Sequence, residues 1–169
     1  MSYLDHIRAC NRRDMARFAP FAVDGARVGW VRKDRVPILL GHDTVFVGDE
    51  TGVTLAPGLS GFEARSDAVA EVVERLDLDG HIRKVRNEDY PVATAFGATP
   101  CFKLDRGAVP FLGVRAYGVH MNGFVRAADG LKMWIGRRAP DKAVAPDKLD
   151  NMVAGGQPIG LTVLENLIK

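Results

Sequence analysis

The triplet Met152-Val153-Ala154 runs directly into Gly155-Gly156-Gln157-Pro158-Ile159-Gly160, and then into Val163, Leu164, Leu167 and Ile168 at helical spacing. A short apolar strand, a turn of glycine and proline, and a helix with one apolar face make a strand–loop–helix unit. That unit constrains the fold. The helix from Thr162 has only about two turns, too short to hold unless it packs, so it requires a sheet face. Its N-terminus also offers free amides to an anion. An ordinary strand–loop–helix junction accounts for the same residues, so the decision rests on what lies upstream.

The chain has 169 residues, enough for one good core or two small modules sharing an interface. Apolar residues are 47% and charged residues 26%, the balance of a soluble globular protein. A net charge of +2 is too mild to imply nucleic acid or a membrane surface as partner. The run Arg83-Lys84-Val85-Arg86-Asn87-Glu88-Asp89 interleaves both signs and reads as solvated surface. No apolar run approaches the ~18 residues of a transmembrane helix, and the N-terminus has no secretory pattern. Cys10 and Cys101, isolated from each other and from metal-spaced ligands, fit a reducing compartment. A cytoplasmic location is the expectation.

Ser2, with Asp5 three residues on, predicts a capped helix to about Arg13, carrying Leu4, Ile7 and Cys10 on one face. Ala19 to Gly29, broken by Pro20 and Gly25, reads as a connector, and Val28 to Gly41 as a short helix. Val45–Val47 and Val53–Leu55 around Gly48 and Gly52 predict a hairpin. Ser66 predicts the cap of a second helix, with Val69, Val72, Val73 and Leu76 inward and Gly80 past its end. From Pro91 the pattern turns to strands: 101–104, 111–125 and 131–137, with a turn at Ala127-Ala128-Asp129-Gly130. A long loop from Ala139 to about Asn151 precedes the strand at Met152.

Three spaced motifs precede or enter the strand–loop–helix unit: Gly118-Val119-His120-Met121-Asn122-Gly123-Phe124-Val125, Met133-Trp134-Ile135-Gly136-Arg137-Arg138, and Leu149-Asp150-Asn151-Met152-Val153-Ala154-Gly155-Gly156. In this order they resemble a branch of the Nudix hydrolase superfamily that carries an N-terminal accessory domain. That branch includes plant Nudix enzymes and the N-terminal half of fungal thiamine pyrophosphokinase fusions. The resemblance places the start of the Nudix box at Gly155, Gly156 and Gly160, with Leu161 at its first Glu position and Lys169 at its Arg position. The sequence as read therefore stops before the catalytic glutamates. A chain of this length, with its terminal helix left on half a sheet, is expected to self-associate.

The resemblance implies hydrolysis of a diphosphate linked to another group, with Mg²⁺ or Mn²⁺ as cofactor. In this branch it implies thiamine diphosphate or its oxidised derivatives as substrate. The catalytic residues stay unknown at this stage, and the carbonyl of Gly155 or Gly156 is the implied metal contribution. Leu161 and Lys169 depart together from a Glu–Arg brace. Glu165, the one carboxylate in the visible helix, reads as solvated.

On the substrate side, Trp134 and Tyr117 are candidates to stack on a flat ring. Arg115, Arg137 and Arg138 are candidates to pair with phosphate oxygens. Strand alternation puts Met133, Ile135 and Arg137 on one face and Lys132, Trp134, Gly136 and Arg138 on the other, so at most one of these two arginines shares the Trp134 face. His120 and Asn122 lie in the first motif, and His120 fits a structural hydrogen-bonded role better than that of a base. Asp150 and Asn151 fit a substrate contact or an Asx-type turn.

The expected fold is α+β. A small α+β accessory domain at 1–109 precedes, at 110–169, the first part of a Nudix α/β/α sandwich with a mixed sheet. The expected function is metal-dependent hydrolysis of a small-molecule diphosphate by the complete parent chain, with a homodimer as a possible assembly. A non-catalytic module binding phosphorylated ligands is the alternative.

Overall fold

The computed structural model describes residues 2–142 and 144–168, so the position of Lys169 lies outside the described residues. The chain is α+β, as expected. Helix α1 spans Tyr3–Cys10 with Ser2 and Asp5 in a reciprocal capping box, and it ends at the Asn11 cap rather than at Arg13. Strands β1 (Phe18–Val23), β2 (Ala26–Arg32), β3 (Phe46–Asp49) and β4 (Gly52–Leu55) form a mixed sheet in the order β2-β1-β4-β3. Two antiparallel hairpins, β1–β2 and β3–β4, are joined by the parallel pairing of Phe21 with Val53 and Ala22 with Thr54.

The first of these hairpins replaces the expected connector. Asp24 (φ 51°) and Gly25 (φ 76°) make its two-residue turn, the conformation in which Asp-Gly is favoured between strands. Pro20 is tolerated because the parallel ladder with β4 begins only at Phe21. The helix expected over Val28 to Gly41 shrinks to α2 (Val36–Leu40), entered through Pro37 near its first turn. Its first part is β2, where Val28 and Val31 are buried.

Helix α3 runs Phe62–Leu78, a turn longer than the sequence suggested. Gly61 is its N-cap, and Ser66 sits inside it, 1% exposed. The Ser66 hydroxyl donates to the Phe62 carbonyl (2.6 Å) and accepts from the Lys103 N–H (3.1 Å). Ser66 therefore fastens the helix to a strand instead of starting it. That strand, β6 (Phe102–Asp105), pairs with β5 (Asp89–Val92), and α3 packs on it through Val69, Val73 and Leu76. Phe21, Phe46 and Phe102 meet at the centre, with ring centroids 5.9 and 6.2 Å from Phe21.

The short helix α4 (Val109–Leu112) closes this core with Phe111 and Leu112. The next residues bind to β2, as Trp30 N–H donates to the Gly113 carbonyl and Gly29 bridges Val114. Beyond Val114 the strands are antiparallel pairs: β7 (Gly118–Met121) with β12 (Val153–Gly156), β8 (Phe124–Ala127) with β9 (Gly130–Met133), and β10 (Gly136–Arg137) with β11 (Leu149–Asp150). Helix α5 (Val163–Ile168) rests on β7 and β12. The mixed sheet thus belongs to the N-terminal part, while the described strands after Gly118 pair two by two.

Candidate functional site

The glycine strand β12 is seated on the N-terminal part of the chain. A Cβ on Gly156 would lie 1.4 Å from the Tyr90 hydroxyl oxygen, so only glycine lets the strand pass over this ring. Tyr90 is 4% exposed, burial pushes its phenol pKa up, and the Arg106 guanidinium stacked 5.7 Å from the ring centroid opposes that shift. Two backbone bonds continue the seat, from Gln157 N–H to the Tyr117 carbonyl and from Ile159 N–H to the Asp89 carbonyl. The Gln157 side chain, 8% exposed, donates to the Leu161 carbonyl at 2.6 Å and accepts from Asn166 Nδ2 at 3.1 Å. Asn166 Nδ2 also donates to the Gly156 carbonyl at 2.8 Å, which ties the start of the loop to α5. The loop is a fixed element.

Thr162 begins α5 with a reciprocal cap. Its hydroxyl accepts from the Glu165 N–H at 3.2 Å, and Glu165 Oε2 accepts from the Thr162 N–H and hydroxyl, both at 2.8 Å. Glu165, read from sequence as solvated, is the partner in this cap. The Thr162 N–H, and then its hydroxyl, hold the Glu165 carboxyl below the usual Glu range. With its folded pKa depressed, the contribution of Glu165 to stability is present above the unfolded value and lost as pH falls through the folded one. A ¹³C NMR titration should give Glu165 a lower midpoint than an unpartnered glutamate. Thr162→Val, which keeps the N–H and removes the hydroxyl, should move it part of the way back. An unchanged midpoint would contradict the hydroxyl's share.

Two clefts flank this loop. One, of about 330 Å³, is mostly apolar and is lined by Ala93, Phe96, Tyr117, Pro158, Leu161 and neighbouring residues. Phe96 and Tyr117 meet edge to face in it, with centroids 5.1 Å apart. The other, of about 1150 Å³, lies on the Gly155–Gly156 side and is rich in arginine and lysine.

Most of the sequence candidates are divided among three places. Tyr117, Gly160 and Leu161 line the apolar cleft, and Arg115 donates to the Thr94 carbonyl beside it. Arg138, Gly155 and Gly156 line the basic cleft. Arg138 is paired with Asp150 at 2.6 Å, and it and then the Asn151 N–H hold the Asp150 carboxyl below the usual range. His120, Asn122 and Asn151 form a third group. Asn151 Nδ2 donates to Asn122 Oδ1, which leaves Asn151 Oδ1 to accept from His120 Nδ1 at 2.8 Å. That arrangement places the proton of a neutral His120 on Nδ1.

The Trp134 side chain is exposed and lines neither cleft, and its backbone N–H donates to the Gly123 carbonyl. Arg137 pairs with Asp147 at 2.7 Å. The alternation expected over 131–138 is interrupted, because the chain leaves β9 at Met133 and re-enters a strand only at Gly136. What the sequence missed is the basic cleft, since most of its cations come from segments far from the glycine loop: Arg35, Arg83, Lys84, Arg86 and Arg106.

Among the described residues, no three or more His, Cys, Asp or Glu side chains gather at a spacing that could hold a metal ion. Glu165 is the one acid on α5 and is occupied by its cap. These residues alone do not fit Mg²⁺ or Mn²⁺. No described helix is long and apolar enough to cross a membrane.

Residues 2–116 match the family described as a domain of unknown function, DUF4743. The chain belongs to that family. Among similar proteins is Nudix hydrolase 24, chloroplastic, of Arabidopsis thaliana, 39% identical over 172 residues, covering 99% of this chain and 47% of the relative. Nudix hydrolase 20, chloroplastic, of the same plant is 38% identical over 99% of this chain and 48% of its own length. An uncharacterized protein of Saccharomyces cerevisiae is 27% identical over 86% of this chain and 45% of its own. The chain therefore spans about half the length of these curated relatives.

The chloroplastic names of the two plant proteins overturn the cytoplasmic expectation. Its basis was weak in physical terms: two free thiols report a reducing environment, not which compartment supplies it.

Proposed function

We propose that the complete protein is a metal-dependent hydrolase of diphosphate-linked compounds, with thiamine diphosphate or its oxidised derivatives as substrates. The observation that carries this reading is the placement of Gly155–Gly156. The strand that opens the Nudix-like box is held on Tyr90 and tied to α5, and it forms one wall of a cleft rich in cations. Guanidinium and ammonium groups there offer charge-assisted hydrogen bonds to phosphate oxygens. The apolar cleft on the other side of the loop, with Tyr117 and Phe96 edge to face, supplies a surface for a flat ring. The names of the two plant relatives support the reaction class.

The reaction is attack of water on phosphorus with cleavage of the bridging P–O bond, giving thiamine monophosphate and inorganic phosphate. The test uses the full-length protein with thiamine diphosphate or its oxidised forms and Mg²⁺ or Mn²⁺. Equal amounts of monophosphate and phosphate are expected, and a chelator should abolish their release. No turnover of these compounds, with affinity unaffected by chelator, would overturn the proposal in favour of a binding module.

A further inference from the structure

We propose that the accessory domain itself supplies a phosphate clamp: the 83–86 loop, facing Gly155–Gly156 across the basic cleft, binds the diphosphate of the ligand. For the choice of ligand this rests on the function proposed above.

The sequence of this loop suggests a run neutralised by its own acids, and the structure shows otherwise. Glu88 pairs with Arg106 at 2.7 Å and Asp89 with Lys103 at 3.1 Å. Among the described residues, Arg83, Lys84 and Arg86 form no ion pair, and all three are exposed on the cleft. Arg35 joins them from across the core, held by donation to the Pro110 and Phe111 carbonyls and by stacking on the Phe111 ring at 4.9 Å. Among the described residues Asp141 is the one acid on the lining, and Lys142 stands beside it. The cleft therefore carries an excess of positive charge that the chain's mild net charge does not reveal.

The loop is also built to hold that charge in place. Asp105 accepts from the Arg86 N–H with both oxygens, at 2.9 and 3.0 Å, and from the Gly107 N–H at 2.7 Å. Asp77 accepts from the Val85 N–H at 3.3 Å. A Cβ on Gly107 would stand 2.1 Å from the Lys84 carbonyl oxygen, so glycine there permits the loop to lie down on the β6–α4 connection. The run's own acids are engaged by other cations, while Asp77 of α3 and Asp105 of β6 fix its backbone. Like charges gathered on a fixed backbone repel one another, and a bound polyanion relieves that repulsion. A diphosphate brings both the charge and the several acceptor oxygens that forked guanidinium groups engage.

The test measures binding of methylenediphosphonate, a diphosphate with no bridging oxygen to cleave, to the full-length protein by calorimetry in chelator at several salt concentrations. The variant carries Arg83→Gln, Lys84→Gln and Arg86→Gln. A control carries Arg12→Gln, Arg13→Gln and Arg75→Gln, three exposed cations outside the cleft. Loss of charge-assisted contacts should weaken binding by on the order of ten- to a hundredfold and flatten its salt dependence, with the control within about twofold of wild type. Circular dichroism melts establish that both variants fold.

Equal affinity of a folded cleft variant and wild type would overturn the clamp, and hydrolysis of thiamine diphosphate would be untouched by that result. Weakened binding in the cleft variant alone sustains the clamp even in a protein that turns over no diphosphate, which is how failure of the functional proposal is told apart from failure of this one. Equal weakening in the control would also overturn it, by showing that net charge and not this loop sets the affinity.

Discussion

Gly156→Ala is expected to destabilise the protein by about 1–3 kcal/mol, the range for forcing atoms into a packed site. At this chain length each kcal/mol is worth roughly 2–4 °C in Tm. The new methyl group would enter the Tyr90 hydroxyl and reach within 2.6 Å of the ring carbon that bears it. Neither side yields easily, as Tyr90 is buried under Arg106 and β12 is paired with β7 along four residues. The decisive measurement is a double-mutant cycle by urea denaturation. In a Tyr90→Ala background the ring is gone, and Gly156→Ala should cost almost nothing. The same penalty in both backgrounds would show that the glycine is required by the strand itself and not by the tyrosine beneath it.

The largest loss is expected from Phe21→Ala, about 3–5 kcal/mol. Phe21 is fully buried and lies between Phe46 and Phe102, so it joins β1 to the β3–β4 hairpin and to β6 in one contact cluster. Its deletion leaves a cavity that three separate elements would have to move to fill. Set against a total stability of roughly 5–15 kcal/mol for a domain, the loss should remove much of the cooperative transition seen by near-ultraviolet circular dichroism. Met15→Ala, at an exposed position outside that cluster, should leave the melt nearly unchanged. Similar effects from both substitutions would contradict a core centred on Phe21.

What the sequence made legible follows from how local each signal is. The β3–β4 hairpin, the inward face of α3 and the helix after Thr162 each rest on residues within a few positions of one another, and all three are present. The first hairpin is hidden because Pro20 and Gly25 carry the signal of chain breakers. Asp24-Gly25 between apolar stretches was the overlooked turn signal. Ser66 illustrates a different limit. A serine before an apolar stripe looks like a cap, and only the distant Lys103 N–H reveals that its hydroxyl serves a strand instead. The candidate site divides along the same line. The glycine loop was visible because it is contiguous, whereas the cleft beside it gathers Arg35, Arg83 and Arg138 from distant parts of the chain. Charge balance along the chain conceals it, because Asp34, Glu88 and Asp89, the acids near Arg35 and the 83–86 run, pair with Arg32, Arg106 and Lys103 instead.

The pairing pattern of the N-terminal sheet bears on the order in which the molecule is made. Every strand partner in that sheet lies between residues 18 and 55, and its farthest join, Phe21 to Val53, closes a loop of only modest length. Domains emerging from the ribosome fold from the N-terminus as units. This sheet, with β6 against it through Phe102 and α3 packed on β6, has its partners available well before Gly156 is synthesised. The glycine strand therefore meets a surface that already exists, with the Tyr90 ring in position to accept it. During synthesis the N-terminal part acts as the mould on which the glycine strand is cast.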